Sequence, residues 1–163
     1  MIIHRPPLLA IDPGVVLGWA FFPQDRKFPV AIGIIKPQVK KEFFLQMHST
    51  VAQVVSVIAE HCPKFVAIEW PGFFDSAGGR AVAGGGSLVK LAFGVGKLAQ
   101  VAEAFGATFE PIPVAKWKGQ LSKRIVEHRI RRILPFSRIE KLQPKQHEWD
   151  AIGIGLYCRG LFK

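Results

Sequence analysis

Leu8-Leu9-Ala10-Ile11-Asp12-Pro13-Gly14-Val15-Val16-Leu17-Gly18-Trp19-Ala20-Phe21-Phe22 sets the start of the fold. Two apolar runs, Leu8–Asp12 and Val15–Phe22, are parted only by Pro13-Gly14, a dipeptide that turns the backbone. A third run, Val30–Ile35, follows the punctuated stretch Pro23–Pro29. Short apolar runs with turns between them predict three antiparallel strands in a meander. Asp12 ends a strand that should otherwise be buried, where a carboxylate is costly unless paired or bound to a cation.

Working outward, Phe43, Met47, Val51, Val55 and Ile58 recur at steps of four and three, predicting a helix of about twenty residues. Lys64–Glu69 reads as a strand that also ends on an acid. Ala77–Ser87 packs five glycines into eleven residues and reads as a mobile loop. Beyond it, Leu88, Leu91, Val95, Leu98, Ala102 and Phe105 form a second helical stripe, and Ala107–Pro111 a fifth strand closed by Pro113. The first four residues of that stripe offer more apolar surface than one small sheet face needs, so this helix is expected to meet its own copy. Ser122 can cap a basic helix running to about Leu134, and Glu148–Leu161 reads as a last helix despite Gly153 and Gly155. Three strands, helix, strand, helix, strand and further helices indicate an α/β domain with a mixed sheet covered by helices. Residues 1–163 read as one domain.

The composition, 49% hydrophobic and 21% charged, is rich enough to bury a core, and the net charge is +10. Such a field draws polyanions: nucleic acid first, an anionic membrane surface second. Lys90 and Lys97 interrupt the apolar stretch Leu88–Val101, and Asp12-Pro13-Gly14 interrupts Leu8–Phe22. No secretion signal is found, and a cytoplasmic protein without membrane attachment is expected. Cys62 and Cys158 lack CxxC spacing and are expected to be buried thiols rather than a bridge or zinc site.

With only 12 acids in the chain, their placement is informative. Glu69 ends Phe65-Val66-Ala67-Ile68 as Asp12 ends its own run, and Asp150 lies within an apolar helix pattern between Trp149 and Ala151. Singly, each has an ordinary explanation: a turn-starting aspartate, a solvated strand end, an exposed helix residue beside Glu148. Jointly, strand ends and a helix can bring three hard oxygen ligands to one point for Mg²⁺ or Mn²⁺. Two such ions about 3.5–4 Å apart serve phosphodiester hydrolysis. His147 stands one helical turn before Asp150, able to assist an ion or a water, or simply to cap the helix.

Asp12-Pro13-Gly14 with Gly18-Trp19, then Ala67-Ile68-Glu69, then His147-x-x-Asp150-Ala151, resemble in order and separation the signatures of RuvC-type Holliday junction resolvases. Ser87-Leu88-Val89-Lys90-Leu91 resembles the start of that family's central helix. The resemblance implies a ribonuclease H-like fold with a five-stranded sheet, its first three strands antiparallel, and helices on both faces. It also implies a homodimeric endonuclease that cuts four-way DNA junctions with two Mg²⁺ or Mn²⁺ per site, held by Asp12, Glu69, His147 and Asp150. Some members carry aspartate where this chain has His147. The short Gly14-to-Gly18 spacing is closer to phage-borne relatives, and the glycine-rich segment from Trp70 to Gly86 is longer than in the bacterial enzymes.

Between Lys116 and Lys145 lie ten of the chain's basic residues and only two acids, Glu127 and Glu140. A solvated helix surface is one reading; the excess of one sign favours a phosphate-contacting face. Its expected DNA-binding residues are Lys116, Lys118, Lys123, Arg124, Arg131 and Arg132, with Arg80 on the glycine-rich loop. The resemblance places functional lysines near Lys118 and Lys123. Trp117 is expected to pack rather than stack. Phe73 and Phe74 are candidates to stack on unpaired bases, or else fold back onto the core. Competing readings are a nuclease of broader flap, fork or hybrid specificity, and a branched-DNA binding module that does not cut.

Overall fold

The computed structural model describes residues 5–39, 42–70 and 87–162. Strands β1 (Leu8–Asp12), β2 (Leu17–Phe22) and β3 (Ala31–Ile35) form the antiparallel meander. Helix α1 (Phe43–His61) carries the chain back so that β4 (Phe65–Trp70) runs parallel to β1. Helix α2 (Ser87–Ala104) does the same for β5 (Thr108–Pro113), parallel to β4. The sheet order is β3-β2-β1-β4-β5. After it come α3 (Val114–Trp117), α4 (Lys123–Ile133), α5 (Phe136–Leu142) and α6 (Gln146–Cys158). Ser122 caps α4, its hydroxyl accepting from the Ile125 N–H at 3.4 Å.

Strand side chains alternate between faces, and in β1 both faces are covered. Leu8 and Ala10 join Ala20, Phe22, Ala67 and Ile112 in a core with α4 and α6. Leu9 and Ile11 join Leu17, Phe21, Val66 and Ile68 in a second core with α1 and α2. This is the mixed, helix-covered sheet that the element order predicts, with the five strands and two covered faces that the resemblance implies. The two glycines of α6 are explained by close packing. A Cβ at Gly155 would collide with the Phe22 ring, and one at Gly153 with the Trp117 ring. Glycine costs a helix about 1 kcal/mol against alanine, less than displacing a buried aromatic ring.

Several expectations need correction. The buried stripe of α1 is Met47, Thr50, Val54 and Ile58, with Val55 only half-buried. Thr50 can be buried because its hydroxyl donates to the Val15 carbonyl at 3.1 Å. Phe105 lies beyond α2 and is exposed. Pro113 belongs to β5 instead of closing it, since an edge strand can spare an N–H. Helix α6 stops at Cys158, before Gly160, which takes a left-handed φ of +72°. Both cysteines are free and exposed rather than buried. Among the described residues, no helix is long and apolar enough to cross a membrane.

Candidate active site

Strand alternation aims the acids. Asp12 shares the parity of Leu8 and Ala10, so its side chain faces α6; Glu69 shares that of Ala67 and faces the same way. The parallel register pairs Ile11 with Ile68, which sets Asp12 and Glu69 at the adjoining ends of β1 and β4. On the other side of β1, Asp12 pairs with Gly18. A Cβ at Gly18 would collide with the backbone carbonyl of His147. The missing side chain is what lets the first turn of α6 settle against the sheet end.

That turn carries two functional candidates and one structural acid. The His147 Nδ1 and Asp12 Oδ2 are 3.0 Å apart, joining residues 135 positions apart in sequence. Asp150 is 3% exposed. Glu148, the other acid of this turn, is spent on the helix end: its carboxylate accepts the Lys145 N–H at 2.6 Å.

Protein cations and donors meet the remaining carboxylates. Lys118 Nζ lies 3.0 Å from Glu69 Oε2, and the Trp117 indole N–H donates to the same oxygen at 2.9 Å. Lys123 Nζ lies 3.7 Å from Asp150 Oδ2. Among the described residues, Asp12 has no such lysine. Its carboxyl is pushed up from 3.8 to about 6, first by burial and then by the negative charges of Glu69 and Asp150, with the His147 contact opposing. A buried carboxylate beside two others is an anionic site short of positive charge.

Among the described residues, no three His, Cys, Asp or Glu side chains converge closely enough to enclose an ion. Three carboxylates and an imidazole are nevertheless the donors a hard divalent cation takes. By donor chemistry the residues fit such an ion.

The basic candidates separate. Lys118 and Lys123 belong to the acidic site. Arg131, half-exposed, pairs with Glu127 at 2.8 Å and lies over the Trp149 ring at 4.6 Å. Arg132 lines an open groove with Arg129, Leu161 and Phe162, beyond the far end of α6 from Asp150. Lys116 and Arg124 are exposed. Trp117 packs, at 2% exposure, as expected. Its bond to Glu69 was missed; the only signal was its place between Lys116 and Lys118. Phe73, Phe74 and Arg80 lie outside the described residues.

The surplus apolar surface on α2 is not where the periodicity puts it. Leu88, Val95 and Leu98 are buried within the chain and Leu91 half-buried, while Val89 is 66% and Phe93 37% exposed. Phe93 forms an edge-to-face cluster with Phe43 and Phe44 of α1, and Phe44 is 59% exposed.

No family model matches the sequence, and no curated protein matches it. Solved structures do. Thermus thermophilus RuvC in complex with a Holliday junction substrate superimposes with a TM-score of 0.71 at 22% identity, over 98% of this chain and 99% of that one. A second Thermus thermophilus RuvC structure gives 0.66 at 19% identity, over 96% and 98%. This chain has the fold of RuvC. At such identity it is the sheet order and helix placement that are shared, and the RuvC fold accounts for nearly the whole chain.

Proposed function

We propose that this chain is a metal-dependent endonuclease that resolves four-way DNA junctions, one nick per subunit of a homodimer, in the bacterial cytoplasm. One observation carries the reading: Asp12, at one sheet end, feels the charges of both Glu69 and Asp150, in a fold shared with a Thermus thermophilus RuvC solved with a Holliday junction substrate. Asp12, Glu69, Asp150 and His147 would hold two Mg²⁺ or Mn²⁺ ions, which when bound activate water and stabilise the leaving oxygen in phosphodiester hydrolysis. The chain's own groups do the rest. His147 holds Asp12 in place, and Lys118 and Lys123 offset carboxylate charge and are positioned to turn toward a phosphate. Paired nicks across a symmetric junction call for two sites related by a two-fold axis. The exposed face of Phe44, Val89 and Phe93 is the surface we assign to that contact.

Labelled four-way junctions, flaps, forks, RNA–DNA hybrids and linear duplex, each with Mg²⁺, Mn²⁺ or EDTA, test the reading. Cleavage should be confined to branched DNA, require the ion, and fall by orders of magnitude in Asp12→Asn, Glu69→Gln and Asp150→Asn while junction binding persists. Equal cleavage of flaps and hybrids would replace junction resolution by a broader nuclease. Binding without cleavage under every ion would leave a branched-DNA binding module.

A further inference from the structure

Trp117 has a role that its burial alone does not explain. Its indole Nε1 and Lys118 Nζ both reach Oε2 of Glu69, at 2.9 and 3.0 Å, and neither of these contacts engages Oε1. The ring is 2% exposed and packs against the Phe162 ring at a centroid distance of 5.9 Å. On its other side it fills the space left by Gly153, where a Cβ would stand 2.5 Å from the ring. Gly153 is three residues beyond Asp150 on the same helix. One buried ring therefore bridges the helix that carries Asp150 and the strand that carries Glu69.

The two donors on Oε2 are not equivalent. Lys118 is a cation on a flexible stem, free to exchange Glu69 for a phosphate, and its charge competes with any ion that Glu69 is to hold. The indole is neutral, rigid and locked by packing, so it fixes the carboxylate without cancelling its charge. Partners of this kind orient metal ligands and tune their affinity.

We propose that Trp117 is the positioning residue for Glu69, anchoring Oε2 so that Oε1 is left for a divalent cation that Glu69 would help to hold. The proposal rests on the nuclease reading above. Trp117→Phe keeps an aromatic ring in the core but removes the N–H donor together with the fused five-membered ring, so its melting temperature is measured alongside to separate the lost donor from the small cavity left. In DNA-free protein, calorimetric titration should show Mg²⁺ and Mn²⁺ binding about 10–100-fold more weakly than in the wild type. Single-turnover cleavage at saturating junction should fall at limiting ion and recover as the ion is raised, with junction affinity unchanged. In a Glu69→Gln background the same substitution should cost nothing further.

Wild-type ion affinity in Trp117→Phe, or a full additional loss in the Glu69→Gln background, would overturn the positioning role. If the variant folds poorly, the wild-type indole N–H resonance of Trp117 decides instead. It should shift on saturation with Mg²⁺, and an unmoved resonance overturns the proposal. Failure of the parent reading looks different: wild type and Glu69→Gln would then bind the ions equally, or neither would bind them.

Discussion

Replacing Asp12 with asparagine should disable the protein and make it more stable. In the fold, burial and the charges of Glu69 and Asp150 hold the Asp12 carboxyl at about 6, against an ordinary 3.8. At 1.36 kcal/mol per pH unit, ionised Asp12 costs the folded state about 3 kcal/mol at neutral pH. The sign follows from proton counting. Between pH 4 and 6 the folded chain keeps a proton that the unfolded chain has released, so stability declines as pH rises through this window and stays reduced above it. Asparagine fills the same space without charge and can still accept a hydrogen bond from His147. At pH 7.5 without metal, Asp12→Asn should therefore melt about 6–12 °C above the wild type, at 2–4 °C per kcal/mol for a chain of this size. The gap should close toward pH 3.5, and Mg²⁺ should narrow it by stabilising only the wild type. Calorimetric melts across pH 3.5–8, with and without Mg²⁺, measure all three effects. A variant no more stable than wild type at pH 7.5, or a gap that persists unchanged at pH 3.5, would refute the electrostatic account of the site.

Gly18→Ala should drive the first turn of α6 off the sheet end, costing about 1–3 kcal/mol of stability and, by parting His147 from Asp12, most of the cleavage; urea melts and single-turnover assays would show it, and a stable, active variant would sink the packing argument. Lys118→Ala and Lys123→Ala should slow cleavage at saturating junction. Arg124→Ala and Arg132→Ala should only weaken affinity and flatten its salt dependence by about one phosphate contact each; the reverse pattern in enzyme-excess kinetics would move catalysis off the lysines. Phe44→Glu should yield a monomer by analytical ultracentrifugation at micromolar concentration, and an unchanged oligomer would remove the aromatic face from the interface.

Much of this was legible in the residues because strands buried on both faces leave so few positions for an acid. Leu8–Asp12 matched its strand to the residue, and Asp12, Glu69 and Asp150 stood out because each interrupts an apolar pattern. What escaped was set by side chains that behave against type. Thr50 is buried where valine was expected, since a carbonyl from a distant turn satisfies its hydroxyl. The stripe Leu88, Leu91, Val95 and Leu98 fits a helix equally well facing the sheet or a partner, and periodicity alone cannot assign the direction. Arg131's pairing with Glu127 and its place over the Trp149 ring could not be read from the basic run alone. Trp117 packs as predicted, but its N–H acquires meaning only from an oxygen 48 residues away in sequence.

The bond between His147 and Asp12 spans almost the whole chain, and that has a consequence for biosynthesis. Asp12 and Glu69 are made before Asp150, which follows Glu69 by 81 positions. At about 5–20 residues per second, a ribosome takes roughly 4–16 s to cover that interval. During it the growing chain carries the strand-end carboxylates without Lys118 and Lys123 for the most part, without His147 until the last three residues of the interval, and without Asp150 throughout. If the site cuts DNA, translation itself keeps it unarmed until the last helix has been made.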